Sequence, residues 1–189
     1  MPSLIQLVNY TLAELGRPSV SATTDTPESE YVTAKIFELY KEVLLEYNWS
    51  WAIVYINDSS PLSVNFSPDY VYSYALPGDF GKFYKWATTG AQWPIYAFVD
   101  GMLLANTLPV QYYYIVNDAA FEVWTPLVSR MLVLYVAAKS APTLTNNLQL
   151  CAYLENEYVK MRTRAILQDD MERSVQTTPY NDFDRITFV

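Results

Sequence analysis

Two carboxylates can run general acid–base or glycan-hydrolysis chemistry when they face each other across a cleft. Asp169 and Asp170 are neighbours in the sequence, within a stretch of helical periodicity. Successive helical residues point about 100° apart, so the pair reads as solvated surface. Glu155 with Glu157, and Glu28 with Glu30, are spaced two apart and fail for the same reason. Asp79 and Asp100 sit in turn sequences, where an aspartate ordinarily bonds its own backbone. The chain has no histidine, which removes the commonest general base and metal ligand. No serine lies in a G-x-S-x-G elbow, and the glycines are isolated, so neither a triad nor a phosphate loop is present. Cys151 is the only cysteine; it excludes an internal disulfide and reads as a core residue of a helix. No catalytic residue, metal site or cofactor is expected.

Lys160, Arg162 and Arg164 interleave with acidic residues and read as an ion-pairing or solvated face, not a phosphate track. Asn48-Trp49-Ser50 and Asn57-Asp58-Ser59 match the glycosylation pattern, a short motif that arises by chance.

The composition bounds what remains. Of 189 residues, 51% are apolar and 17% charged, so the chain can bury a core. Seventeen tyrosines dominate an aromatic content of 16%, a surplus that suits half-buried sheet faces and protein interfaces. A net charge of −8 gives no basic footprint for reading nucleic acid. The first residues lack a basic segment followed by an apolar core, so no signal peptide is expected. The longest apolar run, 127–138, contains Arg130 and is too short to span a bilayer. A soluble protein of a reducing compartment is the expectation.

Hydrophobic spacing predicts four helices. The first covers residues 3–15, with Ser3 as N-cap, Leu4, Val8, Leu12 and Leu15 on one face, and Gly16 and Pro18 as the stop. The second starts at Thr26-Pro27 and ends at 47–48, with Val32, Ile36, Leu39, Val43 and Tyr47 as its stripe. The third starts at Thr125-Pro126, runs to 140, is apolar almost all round, and is ended by Pro142. The fourth starts at 145–146 and reaches Met171, with Leu148, Cys151, Tyr153, Leu154, Tyr158, Met161, Ala165 and Ile166 on its buried side.

Between the second and third helices the pattern turns to strand. Strands are expected at 52–56, 71–76, 83–87, 95–99, 102–105 and 110–116, with 57–61 a loop. Asp100-Gly101 between two apolar runs predicts a hairpin on a type I′ turn. Pro77-Gly78 ends the second strand, with Tyr74, Leu76 and Phe80 as packing residues. The fold class is α+β: a four-helix bundle-like body (1–48 and 119–171), a β-rich insert of antiparallel strands and hairpins (49–118), and an extended C-terminal tail (172–189). In that tail Tyr180, Phe183, Ile186 and Phe188 make an apolar series suited to adding an extended arm to a partner.

The order of these features resembles the tail tubular protein A, or head-to-tail adaptor, family of short-tailed phages. The residues that carry it are Ala13-Glu14-Leu15-Gly16-Arg17-Pro18-Ser19-Val20, Tyr47-Asn48-Trp49-Ser50-Trp51-Ala52, and Tyr74-Ala75-Leu76-Pro77-Gly78-Asp79-Phe80. The 96–106 stretch around Asp100-Gly101, Tyr112-Tyr113-Tyr114-Ile115-Val116-Asn117-Asp118 and the 134–145 segment complete the order. One departure is a shortened run between Thr88 and Ile95. The resemblance implies a structural virion protein without enzymatic activity. It would be a wedge in a ring, usually of twelve copies, between portal and tail nozzle, made in the host cytoplasm. Its partners would be other copies, the portal protein and the nozzle protein, with DNA passing through the channel without sequence-specific binding. The C-terminal arm (Tyr180, Phe183, Ile186, Phe188) and the hairpin tip (Asp100, Gly101) would be partner contacts. The alternatives are a virion-associated peptidoglycan hydrolase, for which no carboxylate pair can be nominated, and a carbohydrate-binding tail module using exposed aromatics.

Overall fold

A computed structural model describes residues 2–64, 66–87, 94–117 and 121–177, with side chains to residue 173. Among the described residues the fold is α+β, with four α-helices and two antiparallel three-stranded sheets. The chain divides into two compact units. One is built from Met1–Val43 and from Phe121 onward; the other is Leu44–Ala120.

The helical unit begins with α1, Leu4–Glu14. The Ser3 N–H donates to Gln6 Oε1 at 2.8 Å, half of a capping box. At the other end Gly16 adopts φ +68°. The Arg17 N–H then reaches Leu12 O at 2.8 Å and the Gly16 N–H reaches Ala13 O at 3.0 Å, a complete Schellman closure. Asn9 pins the following loop by bonding both backbone groups of Val20, at 2.8 and 3.0 Å. Helix α2, Pro27–Glu46, opens on a reciprocal cap. Thr26 Oγ1 accepts from the Ser29 N–H (3.1 Å) while Ser29 Oγ accepts from the Thr26 N–H (3.0 Å).

Helix α3, Pro126–Thr145, is capped by Thr125, whose side chain accepts from the Val128 N–H. It packs against α1 and against α4, Leu148–Thr177. Asn146, with φ 50°, turns the chain, and Asn147 Oδ1 caps α4 through the Leu150 N–H at 3.0 Å.

Several helix expectations are corrected. Pro142 lies inside α3 and does not end it. The carbonyl it cannot serve, Ala138 O, accepts instead from the Cys151 thiol of α4. Helix α4 starts later than expected, at Leu148, and runs on to Thr177, so residues 172–177 of the expected tail are helical. Leu148 and Tyr153 are exposed at 75% and 58%, not buried. Asp169 is buried, because α4 turns it inward and Arg173 Nη2 meets its carboxylate at 2.9 Å.

The β unit has strands β1 (Ile53–Asp58), β2 (Tyr72–Ala75), β3 (Phe80–Trp86), β4 (Tyr96–Val99), β5 (Met102–Ala105) and β6 (Val110–Val116). Asn57 and Asp58, expected in a loop, complete β1, and β3 starts at Phe80, three residues before the expected boundary. The sheets run β1-β6-β3 and β2-β5-β4. Their facing sides form an aromatic core. Tyr74, Trp86, Leu103, Val110, Tyr112 and Tyr114 are buried in it, with Phe80 and Phe83 packed against them. Period-two alternation on β6 places Tyr112 and Tyr114 inside.

Candidate functional site

The hairpin of β4 and β5 carries exposed apolar residues on its β4 side. Asp100 and Gly101 form its tip with φ 48° and 75°, both positive as a type I′ turn requires. Register follows: Val99 lies opposite Met102, Phe98 opposite Leu103, Ala97 opposite Leu104 and Tyr96 opposite Ala105. Tyr96 and Phe98 turn toward the aromatic core. Their rings lie 5.0 Å from Trp86 and 5.7 Å from Phe80 respectively, and each lies 5.5 Å from Phe83. Both remain more than a third exposed, and Ile95 and Val99 are exposed at 67% and 45%.

Asp79 is not a free carboxylate. Tyr114 Oη donates to its Oδ1 at 2.9 Å, and its carbonyl accepts from the Asn117 N–H. Burial first, and then the Asp79 carboxylate, push the Tyr114 hydroxyl above the ordinary tyrosine range. Burial, aided by Asp58, pushes Tyr112 up to about 12. Lys82 Nζ donates to Leu45 O at 2.6 Å, and burial lowers its pKa. These groups are locked into structure and do not converge on an open cleft.

In the helical unit a groove of about 460 Å³ runs beside Pro2, Gln6, Tyr10, Pro126, Ser129, Arg130 and Val133. Arg130 is held by Glu14 at 2.7 Å. A second, of about 280 Å³, is lined by Leu12, Arg17, Pro18, Val20, Thr26 and Glu28. Neither brings two carboxyl groups together. Among the described residues no group of three or more His, Cys, Asp or Glu side chains can hold a metal ion. Cys151 faces Ala138 O. Lys160 meets Glu157 at 2.7 Å and Glu155 meets Lys139 at 3.7 Å. Asp25 takes three bonds of 2.7 Å from Ser21 and Ala22, which hold its carboxyl below the usual range.

The outer face of α4 carries a second apolar set that α3 does not cover. Leu148, Tyr153, Val159, Leu167 and Met171 are each more than half exposed. Sequence periodicity located part of the buried stripe of α4, but it assigned Leu148 and Tyr153 of this outer set to that stripe. The signal for the β4 surface was visible: an uncharged run, 95–99, beside Asp-Gly.

Of the candidate contact residues, Asp100 and Gly101 stand together at the hairpin tip. Tyr180, Phe183, Ile186 and Phe188 lie outside the described residues. Among the described residues no helix is long and apolar enough to cross a membrane. No family model matches the chain, and comparison with curated proteins finds no match to it.

Proposed function

We propose that this chain is a head-to-tail adaptor of a short-tailed phage. It would be a structural wedge whose copies form a ring between portal and tail nozzle, part of the channel for genome retention and ejection. The observation that carries the reading is the apolar outer face of α4, with Leu148, Leu167 and Met171 exposed at 75%, 57% and 69%. A ring subunit needs large complementary side surfaces, and an isolated monomer does not. The order of motifs that resembles the adaptor family supports the same role.

In this reading the four helices form a bundle-like body that builds the ring, and the β-rich insert reaches toward a neighbouring ring through Asp100 and Gly101. The C-terminal arm, with Tyr180, Phe183, Ile186 and Phe188, docks on the portal by strand addition. The acidic balance of −8 repels phosphate, so DNA slides through the channel without sticking.

The test is imaging by electron microscopy of the protein mixed with portal. A ring of copies seated on the portal is expected. A chain that stays monomeric and leaves the portal bare overturns the reading, and removing residues 178–189 without loss of portal binding removes the arm from it.

A further inference from the structure

Among the described residues four strand edges border the two sheets, and three of them are guarded. On β2 the outward carbonyl of Ser73 accepts from the Leu62 N–H at 2.7 Å. Ser73 Oγ takes the Phe66 N–H, and Asn106 Oδ1 takes the Val71 N–H. On β3 the ladder is broken by irregularities between Phe80 and Lys82 and between Phe83 and Lys85, and both lysines lie on the strand. Bulges and lysines are the usual protection of an edge. On β1 the strand ends in the polar Asn57 and the charged Asp58. Among the described residues only β4 has none of these devices. Residues 95–99 read Ile-Tyr-Ala-Phe-Val, without charge, proline or bulge.

The hairpin fixes which backbone groups face outward. Around a two-residue turn the closing pair, Val99 and Met102, is hydrogen-bonded, and bonded pairs alternate from there. Ala97 therefore also points at β5. The bond from the Asn106 N–H to Ile95 O has the same parity. The N–H and C=O groups of Tyr96 and Phe98 point away from the sheet. Among the described residues nothing takes them.

We infer that this edge pairs with the same edge of a second copy, antiparallel across a two-fold axis at Ala97. One register engages all the outward groups: Tyr96 opposite Phe98 of the second copy, and Phe98 opposite its Tyr96. Sliding the pair to put Tyr96 opposite Tyr96 brings Phe98 against Pro94, which has no N–H. In the favoured register Ile95 meets Val99 of the other copy, so the most exposed apolar side chains on the strand cover one another. Tyr96 and Phe98 make cross-strand aromatic pairs above the core. Small Ala97 side chains meet on the axis.

Electrostatics fit the same register. Two chains of charge −8 repel wherever acidic surfaces meet. The paired strands bring no charge, and the two Asp100 side chains lie six residue steps apart, about 20 Å at 3.4 Å per step. That is beyond the screening length of about 8 Å at physiological salt. A strand edge of this size covers less than the roughly 1,200 Å² of a stable interface. The pair is therefore a weak dimer of the free chain, populated at high concentration. It does not rest on the adaptor reading, because ring neighbours are related by the ring axis and not by a local two-fold.

Cysteine crosslinking in a Cys151→Ser background tests the register. Opposite residues of a non-bonded pair have Cα atoms about 4.5 Å apart, within disulfide reach. Ala97→Cys should give an oxidised dimer. Ile95→Cys alone should not, since the two copies of that position lie about 14 Å apart; an equal mixture of Ile95→Cys and Val99→Cys chains should. Ala97→Cys that stays monomeric, or Ile95→Cys that crosslinks with itself as readily, overturns the pair. Sedimentation of the unmutated chain gives an independent measure. A monomer–dimer equilibrium weakened at least tenfold by Ala97→Lys, which sets two ammonium groups across the axis, supports it. A chain monomeric up to about 1 mM, or an assembly of any size indifferent to Ala97→Lys, overturns it. A larger ring of that last kind would still agree with the adaptor reading.

Discussion

The thiol of Cys151 on α4 donates to the carbonyl oxygen of Ala138 on α3, 3.4 Å away. In a regular helix that carbonyl accepts from residue 142, which here is a proline inside the helix. A neighbouring helix thus supplies the donor that α3 lacks, and α3 continues to Thr145. Residue Ala138 is 1% exposed, so water does not replace a missing donor there. Cys151→Ala is expected to cost about 1 kcal/mol, and Cys151→Ser, which keeps a donor, to cost less. With Pro142→Ala the helical N–H returns, and Cys151→Ala should then lose most of its effect. A double-mutant cycle by urea unfolding measures this coupling. Costs that add within about 0.5 kcal/mol would dismiss it.

Gly81 sits at a register irregularity of β3 against β6. A Cβ there would lie 2.7 Å from Ile115 O and 2.7 Å from Leu45 Cδ2. The leucine can rotate; the carbonyl belongs to a central strand and cannot move cheaply. Gly81→Ala is expected to destabilise by about 2–3 kcal/mol, read as a lower urea midpoint with an unchanged slope. A cost below about 0.5 kcal/mol would mean that the ladder shifts freely at this point.

Local signals carried much of this fold. Gly16 and Pro18, Thr26-Pro27, Thr125-Pro126 and Asp100-Gly101 each marked a boundary that the structure places within a residue or two, because caps and tight turns depend on side chains next to them in sequence. The failures share a cause. Pro142 stops a helix unless a distant residue replaces its N–H, and Cys151 is nine positions away. The start of β3 at Phe80 was missed, because Gly81 sits at a bulge against β6 that periodicity does not register. Asp169 read as surface because its burial depends on α4 meeting neighbours, although Arg173 one turn on was a visible partner. The sheet order β1-β6-β3 had no local signature at all, and neither did the guarding of three edges and not the fourth.

The hairpin tip offers a test confined to backbone conformation. Nothing lies within 4 Å of a Cβ placed on Gly101, so any cost of Gly101→Ala comes from its φ of 75°. A loss of about 1 kcal/mol is expected. Asp100→Asn, which suits the left-handed region at least as well, should change stability by no more than a few tenths. Thermal unfolding of both variants checks the order. An alanine at 101 as stable as the parent would mean that the turn relaxes out of the type I′ form.

Alkaline unfolding probes the aromatic core through Tyr112 and Tyr114. Both hydroxyls are held protonated beyond the ordinary tyrosine value, Tyr112 to about 12 by burial and then Asp58, Tyr114 by burial and then Asp79. The unfolded chain releases these protons near pH 10, while the folded chain keeps them. Their stabilising contribution is therefore complete below about pH 10 and is lost as the pH rises above it, for Tyr112 through about 12. Tyr114→Phe separates two effects. At neutral pH it removes the 2.9 Å bond to Asp79 and should cost about 2 kcal/mol, because the acceptor is charged. Above pH 10 it should make stability fall less steeply, since the folded state holds one proton fewer relative to the unfolded chain. Urea midpoints measured from pH 7 to 11.5 give both quantities. A variant with the parent's slope above pH 10 would show that the Tyr114 proton is not held by the fold.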